Sequence, residues 1–143
     1  LAGILSTVAD MTVFLNPSKQ SFHRLGFNKA PKYISWSSEN RSQLIRIPAA
    51  TGEYRRAELR SPDPMANPYI AYTLLIYAGL YGIQNKLELP EPAKVNLFTA
   101  DAETLANYKT LPLSLAEARK RAFDSSFVRD HLPLSLIEYF CNR

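Results

Sequence analysis

One cysteine, one tryptophan, two histidines and five glycines are all that these 143 residues contain of those types, and each scarcity removes a class of chemistry. A lone Cys141 near the end leaves no disulfide framework and no cysteine-rich metal site. His23 and His131 stand far apart, without the spacing of a histidine metal site. The glycines are scattered, so no glycine-rich loop is available to cradle phosphate. The longest uncharged apolar stretch, Tyr69 to Ile83, is 15 residues, short of the roughly 20 that a bilayer span needs. It reads as a buried helix. No membrane anchor or secretory leader is expected, and a cytoplasmic setting fits best.

What is present is enough apolar material, 46% of residues with 11% aromatic, to bury one domain's core. The formal charge of +4 conceals an uneven distribution. Nine of the 17 basic residues lie between Lys19 and Arg60, a window with only three acids, Glu39, Glu53 and Glu58. Such a block can bind anions, and it can equally be a solvated basic face. Nucleic acid is a poor match, because no nucleic-acid-binding motif is present and a mixed-charge row does not track a phosphate backbone.

Leu1, Ile4, Leu5, Val8, Met11 and Leu15 recur at helical spacing, so the chain is expected to open with one amphipathic helix ending near Asn16-Pro17. That pattern is in full register at the first position, with no capping residue before it, which leads us to expect a piece of a longer protein. Lys32 to Ser37, Gln43 to Pro48 and Tyr54 to Arg60 favour β structure and predict three antiparallel strands, with turns at Glu39-Asn40 and Thr51-Gly52. Ser61-Pro62-Asp63-Pro64 forbids regular structure, and Asn67-Pro68 starts a helix to about Lys86 whose apolar residues run almost all the way round, predicting burial on most faces. A loop over Leu89 to Asn96 leads to shorter helices. Leu111-Pro-Leu-Ser-Leu recurs as Leu132-Pro-Leu-Ser-Leu, and Ser114 with Glu117 and Ser135 with Glu138 predict two capped helix starts rather than a structural repeat. The fold class is α+β, an antiparallel sheet backed by helices.

Within the third predicted strand, alternation places Arg56, Glu58 and Arg60 on one face. A carboxylate between guanidiniums suits a stabilising ion-pair ladder or a polar site for metal and anion. Arg46 in the preceding strand and Arg41 in the loop before it add to the group. Guanidiniums suit carboxylates and phosphates because their planar fork donates two parallel hydrogen bonds and stays charged when partly desolvated.

The motifs follow one another in a recognisable order: Asn16-Pro17, Phe22-His23-Arg24-Leu25, Ala30-Pro31, Trp36-Ser37, Asn40-Arg41-Ser42, Ile45-Arg46-Ile47-Pro48, Arg56-Ala57-Glu58-Leu59-Arg60, Ser61-Pro62-Asp63-Pro64, Ala66-Asn67-Pro68-Tyr69 and Ala78-Gly79-Leu80. This series resembles the C-terminal catalytic region of glutamine synthetase. The resemblance implies ATP-dependent ligation of ammonia to the side-chain carboxylate of glutamate through γ-glutamyl phosphate, with Mg2+ or Mn2+. It gives Arg24 and Arg60 to the glutamate substrate and its reacting group, Arg41 and Arg46 to the nucleotide phosphates and the transferring phosphoryl, and Glu58 to a divalent metal.

Two positions depart from that pattern. Lys29 stands where many members carry a flap glutamate that helps deprotonate ammonium, and lysine cannot replace a carboxylate base. Another acid, a different nitrogen donor as in γ-glutamyl-amine ligases, or a non-catalytic homologue with an anion-binding regulatory site would each accommodate it. Phe98 lies near the position of a tyrosine that some members adenylylate, and it has no hydroxyl to modify. The family's other metal ligands and its N-terminal β-grasp domain are expected to lie outside residues 1–143, so the chain alone is expected to be inactive, while the full-length protein forms a homo-oligomeric ring.

Overall fold

The computed structural model describes residues 1–27, 29–38 and 40–142. The chain opens with α1 (Ala2–Thr7), α2 (Thr12–Leu15) and α3 (Lys19–Arg24). The single opening helix expected from the apolar spacing is therefore broken between Thr7 and Thr12. On either side of the break a threonine hydroxyl bonds back along the chain, Thr7 to the Gly3 carbonyl at 2.9 Å and Thr12 to that of Val8 at 2.8 Å, a habit that bends helices. Both halves remain in the core, with Val8, Met11, Phe14 and Leu15 buried. Ser18 starts α3 through a reciprocal cap with Ser21.

The described strands are short: β1 (Trp36–Ser37), β2 (Ile45–Arg46) and β3 (Glu58–Leu59), in the order β1-β2-β3. The α+β class holds, but the sheet is mixed. β2 and β3 are antiparallel, whereas β1 and β2 run parallel. The expected antiparallel pairing of the first two strands fails because the intervening loop is pinned sideways instead of folding back. Asn40 Nδ2 and Gln43 Nε2 both donate to the Val95 carbonyl, at 3.0 and 2.8 Å. The start of the first predicted strand also finds another partner, since Ile34 N–H donates to Lys109 and Leu111 N–H to Lys32. The Thr51-Gly52 turn forms, with Gly52 at φ +59 opening a 3-10 turn over Gly52–Tyr54 that delays β3. Glu39 of the other expected turn lies outside the described residues.

α4 (Pro68–Gln84) begins as expected, the Asn67 side chain accepting from the Tyr69 and Ile70 amides and Pro68 in the first position. Its burial is one-sided rather than all-round: Ile70, Ala71, Leu74 and Ala78 are buried, while Tyr69, Ile76 and Ile83 are 83%, 63% and 74% exposed. The buried side is the one that α1 reaches, where the two helices cross backbone to backbone. A Cβ on Gly3 would lie 2.0 Å from the Ala78 carbonyl oxygen and 2.6 Å from Gly82 N, so only glycine fits. No described element covers the outer side.

The remaining helices are α5 (Ala102–Ala106), α6 (Leu115–Asp124), α7 (Ser126–His131) and α8 (Leu134–Cys141). Ser114 caps α6 as expected, accepting from Glu117 N–H, while the Glu117 carboxylate accepts from Leu113 N–H. The matching cap at Ser135 does not form. Pro133, with φ −59 already suited to a helix, takes the cap position and leaves Ser135 inside the first turn. α6 and α8 close the core over α2, and α7 docks on α4 by stacking His131 on Tyr77 with ring centroids 4.3 Å apart. Among the described residues no helix is long and apolar enough to cross a membrane.

Candidate active site

The site is built on the β2–β3 pairing. Register sets Arg46 directly opposite Glu58, and Arg46 Nη1 meets Glu58 Oε2 at 2.9 Å. On the other side Arg56 Nη2 lies 3.4 Å from Oε1 of the same carboxylate. The alternating row read from the sequence thus exists, with Glu58 gripped by one guanidinium across the ladder and another two residues before it. A cross-strand charge pair of this kind contributes about 0.2–1 kcal/mol, and the half-exposed Arg56 pair less. Their combined stabilising effect is small, and the ladder accounts for Arg46, Arg56 and Glu58 but not for the further arginines beside them.

Arg60 is one of those further arginines. Its backbone N–H bonds to the Leu44 carbonyl at 2.9 Å, which carries its side chain to the end of the row. The guanidinium donates to the Lys29 carbonyl at 3.0 Å and to the Arg41 carbonyl. Lys29 occupies the left-handed region at φ 67, which turns the loop so that its carbonyl reaches Arg60. Burial lowers Arg60 below the usual guanidinium value most, the neighbouring Arg46 lowers it further, Glu58 opposes, and Arg41 adds a smaller push down. Positive charges outnumber the one carboxylate here, and an anion would relieve their mutual repulsion.

Of the sequence-derived candidates, Arg41, Arg46, Glu58 and Arg60 are therefore brought together. Arg24 adjoins them through the chain with partners of its own: its Nη2 donates to Asn16 Oδ1 at 2.9 Å and to the Ser61 carbonyl, the residue after Arg60. Its Nε lies 3.9 Å from Asp63 Oδ2. Arg56, placed in the alternating row by the sequence but given no role by the family resemblance, is the second partner of Glu58. The engagement of Asn16 and Asp63 with Arg24 has no linear signature, because it joins residues far apart in the chain.

Glu58 has the hard oxygen chemistry that a divalent cation prefers, but Mg2+ needs near-octahedral oxygen coordination. Among the described residues no group of three or more His, Cys, Asp or Glu could hold an ion, and both Glu58 oxygens already face guanidiniums. These residues do not form a metal site by themselves. The opposite face of β3 is apolar: Ala57 and Leu59 border a hollow of about 450 Å³ shared with Ile45, Pro62 and Tyr72.

The chain that folds into this small mixed sheet framed by helices has relatives among known proteins. Residues 1–143 match the family described as glutamine synthetase, catalytic domain, and the chain belongs to that family. It is 45% identical over 136 residues to glutamine synthetase of Methanosarcina mazei, covering 92% of this chain and 30% of that protein. Against glutamine synthetase of Staphylococcus epidermidis the identity is 39%, covering 99% of this chain and 32% of the relative. A solved structure of a GmaS/ADP complex in its first conformation superposes with a TM-score of 0.84 at 26% identity, covering 99% of this chain and 33% of that one. The chain spans about a third of the length of these relatives.

Proposed function

We propose that this chain carries the arginine-rich part of an ATP-dependent ligase active site that joins ammonia to the side-chain carboxylate of glutamate by way of γ-glutamyl phosphate. The observation that carries the reading is the cluster of Arg46 and Arg60 beside Glu58, with Arg41 next to Arg60, in a chain of this family. Phosphoryl transfer is catalysed mainly by positioning and by neutralising oxygen charge, and fixed guanidiniums do both. In this reading Arg41 and Arg46 hold the nucleotide phosphates and the transferring phosphoryl, Arg60 the reacting carboxyl or phosphoryl oxygens, and Arg24 the glutamate. Glu58 contributes one ligand toward Mg2+ or Mn2+, whose remaining donors come from outside these residues.

The full-length protein is then a cytoplasmic homo-oligomeric ring that engages neither nucleic acid nor membrane, and residues 1–143 alone are inactive. The test is phosphate release by the full-length protein with ATP, glutamate and ammonia. Ammonia-dependent release is the expected result, and glutamine formation by the isolated 143 residues would refute the predicted inactivity. Lys29, a cation in the loop that touches Arg60, favours a second reading: a γ-glutamyl-amine ligase, or a non-catalytic homologue that binds the same anions. Release with other amines but not ammonia supports the former. Nucleotide binding without turnover supports the latter.

A further inference from the structure

The guanidinium of Arg24 sits where three segments meet. Asn16 ends α2, Arg24 ends α3, and Ser61 to Asp63 follow Arg60. Arg24 Nη2 is shared between Asn16 Oδ1 and the Ser61 carbonyl, and Asp63 Oδ2 stands 3.9 Å from Nε. The Asp63 N–H donates to the Leu15 carbonyl at 2.8 Å, so the 61–63 segment is fastened to the same helix end that presents Asn16.

Asn16 is 0% exposed, yet its Nδ2 has no hydrogen-bond partner among the described residues, and the same is true of Ser61 Oγ and Arg24 Nε. A buried amide with half its hydrogen-bonding capacity unmet is a net burden on the fold, and leucine, of similar size, would pack there without that burden. What leucine would not supply is an acceptor aimed at the guanidinium. The Nη1 edge of Arg24 makes no hydrogen bond among the described residues, so the amide holds one edge of the fork and leaves another open.

We propose that Asn16 is a positioning residue that fixes the plane of Arg24 so that its open edge can meet a carboxylate of the substrate. The proposal rests on the assignment of Arg24 to glutamate made above. Recognition of a carboxylate by arginine is planar and two-pronged, and a guanidinium of the same charge in the wrong plane loses that fit. Among the described residues the Asn16 side chain bonds to Arg24, whereas Arg46, at the nucleotide end of the site, is paired with Glu58. Nucleotide affinity should not follow the change.

Calorimetric titration of the full-length protein with glutamate, and separately with ATP, tests this. Asn16→Leu should weaken glutamate binding about tenfold while leaving ATP binding within about twofold, and Asn16→Asp, which keeps the acceptor, should stay within about threefold for both. Should Asn16→Leu fail to fold, Asn16→Ser, whose hydroxyl is too short to reach the guanidinium, should give the same glutamate-selective loss. Equal weakening of both ligands, no weakening in Leu or Ser, or a loss in Asp as large as in Leu overturns the positioning role. A wild-type protein that binds ATP but no glutamate overturns the underlying assignment as well, and it does so before any variant is made.

Discussion

Replacing Arg60 with lysine keeps the charge and removes the fork, and lysine's single ammonium cannot hold the Lys29 and Arg41 carbonyls in the geometry that the guanidinium spans. The loss of a fixed donor aimed at developing oxygen charge is expected to lower kcat of the full-length enzyme about 10²-fold, while thermal stability falls by only about 1 kcal/mol for the weakened hydrogen bonds. Steady-state kinetics beside a melting curve separates the two effects. Although its surroundings lower the Arg60 value, guanidiniums begin so high that the group stays charged across the physiological range, and anion binding should not titrate through it. Cys141 behaves differently. Burial pushes its thiol up, opposed by the nearby Arg119. The folded state therefore favours the neutral thiol, a contribution present below the ordinary thiol value and lost as pH rises through the raised one. At about pH 8 alkylation of Cys141 should run several-fold slower in the folded chain than in denaturant, as followed by mass spectrometry. Equal rates would remove the burial argument.

At the scale of elements, the α1–α4 crossing makes the sharpest claim. A methyl group at Gly82 would lie 2.6 Å from Gly3 N, backbone against backbone, whereas one at Gly79 meets nothing within 4 Å. Gly82→Ala should cost about 1–3 kcal/mol by overpacking, and Gly79→Ala should stabilise the helix by up to about 1 kcal/mol. Denaturant melts of the two variants should move in opposite directions. The same helix shows where linear pattern suffices. Asn67-Pro68 marks its start because cap and first turn are contiguous in the chain. The arginine row of β3 was legible for a similar reason, since alternation along a strand is local. Strand direction was not, because it depends on Asn40 and Gln43 reaching Val95 and on Lys32 to Ile34 reaching residues 109–111, all distant pairings. The break between α1 and α2 turns on threonine hydroxyls that the apolar spacing does not register.

For the molecule as a whole, the outward side of α4 is decisive. Tyr69, Tyr72, Ile76, Leu80 and Ile83 recur every three or four residues and all are exposed, a continuous apolar stripe of the kind that marks a contact surface. Two thirds of each relative lies outside the matched segment, and we expect such additional chain to cover the stripe in the full-length protein. Residues 1–143 alone should then self-associate at micromolar concentration, and Tyr72→Lys with Ile76→Lys should restore a monomer in sedimentation velocity. A wild-type fragment that sediments as a monomer would contradict this. Arg60 also has a thermal consequence. It fastens two surface loops by their carbonyls alone, while the helices beneath are secured by buried side chains and a glycine contact. Loops held in that way open at lower free energy than a core does. Warming should accordingly blunt the grip on anions well before the helical signal disappears, leaving a range of temperatures in which the protein is folded and no longer competent.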